Sequence, residues 1–113
     1  MAKTSDITGL ITICRRAGKL VMGMDEVKAA CRAGKACGVI TVCDLSPKSF
    51  KEIAFTCAEE TVPLYKTDMT MDDMGAALGK VYGIIAIADK GFMKAAAKKL
   101  TPVRLDDTYC KET

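Results

Sequence analysis

Two adjacent carboxylates follow a glycine in the segment Leu20-Val21-Met22-Gly23-Met24-Asp25-Glu26. The pattern predicts a short apolar strand, a glycine turn and a helix that ends near Gly34. The first N–H groups of a helix have no intrahelical partners, and an ionised carboxylate accepts hydrogen bonds. Asp25 and Glu26 therefore either complement the helix dipole or accept hydrogen bonds from a ligand.

Cations flank the glycine corner, the name used here for Gly23, Met24, Asp25 and Glu26. Lys28 and Arg32 are four residues apart and share one helix face, and Lys19 precedes the strand. In a nucleic-acid interface such cations would hold phosphates, while the carboxylates accept hydrogen bonds from amino groups on base edges. A solvated basic face is the alternative that the spacing leaves open.

A second unusual segment places an apolar pair between glycines, in Gly79-Lys80-Val81-Tyr82-Gly83. An aromatic side chain in such a loop can stack on an unpaired base. It can equally pack under the edge of a sheet, and the sequence does not choose between the two.

Three residues follow predicted strands, where open α/β sheets gather ligands: Cys43, Asp44 and Asp89. They support an alternative hypothesis of a small ligand-binding module or thiol-based enzyme. Against it, Cys43 is expected to be an inert core cysteine, and the aspartates suit turns and helix caps. A third hypothesis is a domain used only for protein–protein contact.

The composition limits the class of protein. A chain of 113 residues, half hydrophobic and about a quarter charged, predicts one globular domain. The net charge of +3 permits nucleic-acid binding without establishing it. No apolar run approaches the ~20 residues of a membrane span, so we expect a cytoplasmic protein with no membrane partner.

Cysteine and histidine usage argues against enzyme and metal chemistry. The chain has six cysteines, no histidine and no C-x-x-C pair, so neither structural zinc nor a catalytic triad is expected. It also lacks a Walker loop and a G-x-G-x-x-G motif, and no cofactor is predicted. We expect reduced thiols, with Cys14, Cys31 and Cys57 on apolar helix faces.

Periodicity and caps predict alternating helices and strands. Thr4-Ser5-Asp6 is expected to begin the first helix, and Ser46 and Pro47 the third. Two predicted strands, near 38–43 and 84–88, are apolar on both faces. Other strands are expected at 20–22 and 62–66, and other helices at 24–33, 70–78 and 90–100. The prediction is a three-layer α/β/α sandwich with a central four-stranded mixed sheet over residues 1–100, followed by a tail at 101–113.

Several short motifs occur in an order typical of one family. They are Arg16-Ala17-Gly18-Lys19-Leu20-Val21, Gly23 followed eleven residues later by Gly34-Lys35, Asp44-Leu45-Ser46-Pro47, Met74-Gly75-Ala76-Ala77-Leu78-Gly79-Lys80, and Asp89-Lys90-Gly91-Phe92. Together they resemble the L-seven-Ae family of ribosomal proteins, with the closest likeness to its small bacterial members.

The resemblance implies a non-enzymatic monomer that binds kink-turn RNA with sheared G·A pairs, on the ribosome or associated with it. It implies that the glycine corner enters the widened groove, with Lys19 and Lys28 as phosphate partners. Lys80, Val81 and Tyr82, called here the covering loop, would cover an extruded nucleotide. Asp44 matches an acidic residue of the family.

Two positions differ from many members of the family. Asp25 stands where asparagine is frequent, and an ionised aspartate accepts hydrogen bonds but cannot donate them. Ala29 stands where lysine is frequent, and the neighbouring Lys28 points about 100° away around the helix.

Overall fold

The computed structural model describes the backbone of residues 2–103 and the side chains of residues 7–103. Helices and strands alternate along the chain. The helices are α1 (Ala2–Arg16), α2 (Met24–Arg32), α3 (Pro47–Glu60), α4 (Met71–Leu78) and α5 (Lys90–Ala97). The strands are β1 (Leu20–Met22), β2 (Gly38–Thr41), β3 (Leu64–Lys66), β4 (Ile84–Ile87) and β5 (Thr101–Val103).

The sheet is mixed, with strand order β1-β4-β2-β3-β5. Strand β4 is antiparallel to both β1 and β2, whereas β2 and β3 are parallel. Every residue of β2 and β4 is buried, which confirms the prediction that these two apolar segments are central strands.

The predicted count of four strands is wrong, because the described part of the chain forms five. The fifth strand pairs antiparallel with β3 and includes Pro102, opposite Tyr65. Proline cannot donate to a ladder, so it is confined to edge strands such as this one. The segment was predicted as part of the tail because three residues with a proline carry no strand periodicity. Residues 104–113 of that tail lie outside the described residues.

Helices cover both faces of the sheet, which confirms the three-layer α/β/α sandwich. On one face, α1, α4 and α5 pack over Ile40 and Ile85, and on the other, α2 and α3 pack over Val39 and Ala86. Adjacent residues reach opposite layers because successive side chains of a strand point to opposite faces. The two apolar layers together form the core.

Helix caps follow the sequence prediction in two places and differ in a third. The Ser46 side chain accepts a hydrogen bond from the Ser49 N–H at 3.3 Å, and the Asp89 carboxylate accepts one from the Phe92 N–H at 2.9 Å. These contacts satisfy backbone donors at the starts of α3 and α5. The first helix, however, begins at Ala2 rather than at the predicted cap 4–6.

The strand register shows which strand ends lie together at each end of the sheet. Met22 pairs with Ile85 and Thr41 with Ile84, so β1 and β2 finish where β4 begins. This is called the corner end, because Gly23 follows β1 there. Leu20 and Gly38 both pair with Ile87 at the other end, called the far end.

The helices give no sign of a membrane-spanning segment. Among residues 2–103, none of them is both long enough and apolar enough to cross a bilayer.

Candidate nucleic-acid interface

The glycine corner is held by its backbone against the start of β4. Gly23 has φ 98° and ψ 150°, a conformation that L side chains rarely adopt. Its N–H donates to the Ile84 carbonyl at 3.0 Å, and its own carbonyl accepts from the Val27 N–H at 2.9 Å. The turn therefore leads directly into α2 and leaves Asp25 and Glu26 exposed in the first helical turn.

The covering loop lies beside this corner. A Cβ placed on Gly23 would be 3.8 Å from Cε1 of Tyr82, so the half-buried tyrosine ring lies beside the glycine, on the side where a side chain would project. Val81 is 59% exposed, an unusual state for a large apolar side chain. The loop thus combines a tyrosine that lies beside the corner with a valine that faces solvent.

Asp44 also lies at the corner end, where it supports helix α4. Its carboxylate accepts a hydrogen bond from the Met71 N–H at 2.9 Å. The adjacent Leu45 packs closely on Gly83, where a Cβ would come within 2.7 Å of its Cδ1 atom. These contacts favour the structural interpretation of Asp44, since they anchor the segment after β2 to the start of α4 and to the covering loop.

Lys28 forms an ion pair that the sequence does not predict. Its Nζ atom lies 2.6 Å from Oε2 of Glu52, and its side chain is 19% exposed. The hydrogen bond from Lys28, aided by its charge, lowers the pKa of the Glu52 carboxyl. No signal in the sequence links the two residues, because they lie on different helices, α2 and α3.

The other cations that were predicted to hold phosphates beside the glycine corner lie in different parts of the structure. Lys80 is exposed at the corner end. The Lys19 carbonyl accepts from the Ala88 N–H at 2.8 Å, which places this residue at the far end. Arg32 is the last residue of α2, which runs away from the corner. Lys19, Lys28 and Arg32 therefore do not form one patch beside the glycine corner.

The strand-end residues of the alternative hypothesis are likewise not brought together. Cys43 and Asp44 follow β2 at the corner end, whereas Asp89 follows β4 at the far end and caps α5. Cys43 is exposed rather than in the core, and its thiol donates to the Asp68 carbonyl at 3.4 Å. Because β2 and β4 are antiparallel, their carboxyl ends point in opposite directions.

The helix cysteines Cys14, Cys31 and Cys57 are buried, as the apolar faces predicted. Burial, with a smaller contribution from the charge of Asp89, raises the pKa of Cys14 to about 11. A thiol of raised pKa is a poor nucleophile at neutral pH. Among the side chains of residues 7–103, no group of three His, Cys, Asp or Glu is arranged to hold a metal ion.

Solved structures of two other proteins have the same fold as this chain. A Bacillus halodurans protein of unknown function superposes with a TM-score of 0.76 at 24% identity, over 82% of this chain and 94% of that one. A Giardia lamblia 15.5kD RNA binding protein gives a TM-score of 0.71 at 16% identity, over 88% of this chain and 85% of that one. No curated protein sequence is significantly similar.

The family profile described as "Ribosomal protein L7Ae/L30e/S12e/Gadd45 family" matches residues 5–97, which include all the elements from β1 to α5. The match covers the glycine corner, the covering loop and both central strands. The chain therefore belongs to the ribosomal protein L7Ae/L30e/S12e/Gadd45 family.

Proposed function

We propose that this chain is a non-enzymatic RNA-binding protein, ribosomal or ribosome-associated, that recognises a kink-turn-like RNA through the corner end. The position of the Tyr82 ring beside Gly23 carries the proposal, because it brings the glycine corner and the covering loop together in one surface. Family membership and the RNA binding named for the Giardia lamblia protein support RNA as the ligand.

The glycine corner supplies acceptors for this recognition. Asp25 and Glu26 are exposed in the first turn of α2, directly after the turn at Gly23. Their carboxylates can accept hydrogen bonds from base amino groups, which carry sequence and shape information that phosphates do not. We infer that this corner reads the unusual base edges of sheared G·A pairs.

The covering loop supplies an apolar contact. Val81 is 59% exposed and lies beside α4, where a Cβ on Gly75 would approach its Cγ2 atom to 3.0 Å. An exposed valine held in place by a helix can cover the face of an unstacked base, which removes apolar area from water. Lys80 stands next to it and can contact the adjoining phosphate.

The test compares a kink-turn RNA with a straight duplex of the same composition, in a gel-shift assay and a fluorescence bending assay. We expect submicromolar, salt-sensitive binding of the kinked RNA, which Glu26→Ala weakens about tenfold or more, since a hydrogen bond to a charged group contributes roughly 1.5–3 kcal/mol. Glu59→Ala is the matched control, because Glu59 is an exposed glutamate at the end of α3.

Equal affinity for the two RNAs, together with an unchanged affinity in Glu26→Ala, would exclude the corner as a kink-turn site. A cytoplasmic location, a monomeric state and a place on the ribosome stay predictions. Light scattering of the purified protein and its sedimentation with ribosomes would check the last two.

A further inference from the structure

Exposed cations accumulate at the far end of the sheet. Lys19 precedes β1, Lys35 lies shortly before β2 and Lys90 follows β4, so three neighbouring strands each carry a lysine at this end. Backbone hydrogen bonds hold the three segments together, from Ala88 N–H to the Lys19 carbonyl and from Cys37 N–H to the Ile87 carbonyl, both 2.8 Å. With the exposed Arg16 and Lys94 these lysines form what we call the far-end basic surface.

Within residues 7–103, acidic groups around Lys19, Lys90 and Lys94 are few and engaged elsewhere, whereas Lys35 shares a depression with Glu26. Asp89 is half-buried and caps α5, and Glu59 and Glu60 end α3 on the other face of the sheet. The corner end has the opposite character, with exposed carboxylates in several segments: Asp25, Glu26, Asp44, Asp68, Asp72 and Asp73. Among the side chains of residues 7–103, exposed carboxylates are therefore more numerous at the corner end than at the far end.

A depression that contains one aromatic side chain adjoins the far-end basic surface. An open depression of about 300 Å³ is lined by Cys37, Tyr65, Lys90, Met93, Lys94 and Ala97. Lys90 and Lys94 are one helical turn apart on α5 and so project to the same side. The half-buried Tyr65 contributes the only aromatic lining residue of this depression. A volume near 300 Å³ is at the lower end of the range for ligand pockets.

We propose that this depression and the far-end basic surface bind single-stranded RNA, separately from the glycine corner. Proteins that bind unpaired RNA without sequence preference combine cations along the backbone with an aromatic platform for the bases. Here a base stacks on Tyr65 while Lys90 and Lys94 neutralise the flanking phosphates. Lys19 and Lys35 extend the path of the strand along the far end of the sheet.

The position of this surface implies that one molecule contacts two segments of RNA. Lys19 and Gly23 stand at opposite ends of β1, and at about 3.3 Å per residue their α-carbons are roughly 13 Å apart. The corner end recognises base edges with carboxylates, and the far end adds phosphate contacts to the one available from Lys80 at the corner. The ligand class is shared with the proposed function, but binding at the far end does not depend on the corner.

The test measures fluorescence anisotropy of a labelled oligouridylate of about 12 nucleotides, a length within the usual range for such sites. Lys90→Gln/Lys94→Gln is expected to weaken binding about fivefold or more. The slope of log affinity against log salt should become shallower by about 1.4, since each phosphate contact on a single strand contributes about 0.7. Lys48→Gln/Lys51→Gln removes the same charge from α3 and should leave the slope nearly unchanged.

A second pair of variants tests the aromatic platform. Tyr65→Leu should weaken oligouridylate binding about fivefold or more, while Tyr65→Phe retains it, because stacking needs the ring but not the hydroxyl. Thermal melting establishes that each variant is folded at the temperature of the assay.

The outcomes separate this proposal from the corner site. Tyr65→Leu should leave the affinity for kink-turn RNA unchanged, so that a failure of the far-end proposal and a failure of the corner proposal are distinguished. The proposal is overturned if Lys90→Gln/Lys94→Gln and Lys48→Gln/Lys51→Gln weaken oligouridylate binding equally. It is also overturned if Tyr65→Leu does not weaken binding and polyglutamate displaces the RNA. The last result would indicate a surface for acidic protein segments.

Discussion

The ammonium group of Lys28 lies 2.6 Å from a carboxylate oxygen of Glu52, so the cation nearest to the glycine corner on α2 is already paired with α3. The pair joins two helices on one face of the sheet. It also means that Lys28 must exchange a carboxylate for a phosphate if it is to contact RNA.

Breaking this pair should therefore strengthen RNA binding. Glu52→Gln leaves the lysine charged and without its carboxylate, and we expect kink-turn affinity to rise about twofold to fivefold at low salt. Titration by fluorescence anisotropy at several salt concentrations measures the change. Glu59→Gln, which removes an equal charge farther from the corner, should alter affinity much less. A fall in affinity in Glu52→Gln would show that the pair positions α2 for binding.

The backbone of Gly23 should limit substitution at the corner. Its φ of 98° is one that an L residue adopts only with strain, so Gly23→Ala should destabilise the fold by about 1–3 kcal/mol. Gly9 is the control, since it lies in α1 with no atom within 4 Å of an added Cβ. Gly9→Ala should instead stabilise by up to about 1 kcal/mol. Urea unfolding followed by circular dichroism measures both, and equal stability of the two variants would contradict the assigned turn.

The exposed valine of the covering loop should contribute to binding but not to folding. Val81 is 59% exposed, and Ile13 on α1 is 53% exposed, which makes the isoleucine a matched apolar control. Val81→Ala should weaken kink-turn binding about threefold to tenfold with little change in melting temperature, because the exposed 59% of its area is buried only in the complex. Ile13→Ala should change neither quantity appreciably. The same affinity in Val81→Ala as in the unmodified protein would remove the valine from the interface.

Alkaline pH should destabilise the fold through Cys14. The ordinary thiol pKa is 9.0, and burial raises that of Cys14 to about 11. As pH rises, the unfolded chain releases the thiol proton first, so this contribution to stability is complete below pH 9 and is lost between about 9 and 11. The slope reaches about 1.4 kcal/mol per pH unit at most. Urea unfolding across this range should show a shallower decline for Cys14→Ala than for the parent protein, and an equal decline in the two would contradict the prediction.

The sequence predicts local structure correctly where the residues that determine it are close together in the chain. Ser46 before Pro47, and Asp89 before Phe92, cap their helices as expected because a cap contacts an N–H group only three residues away. β5 was missed because its strand character comes from pairing with β3, a distant segment. Cys43 was assigned to the core, but β2 ends at Thr41 and leaves this residue exposed.

Residues within single segments were enough to predict the sandwich class, the two buried central strands, the caps of α3 and α5 and the make-up of the glycine corner. Each depends on composition or spacing within one segment, where hydrophobic burial and local hydrogen bonds act directly. Three relationships depend on how distant segments pack: Tyr82 lies beside Gly23, Lys28 pairs with Glu52, and Lys19 lies at the far end of the sheet. Strands that are apolar on both faces do not encode their direction or register, and these pairings between distant segments decide which side chains meet.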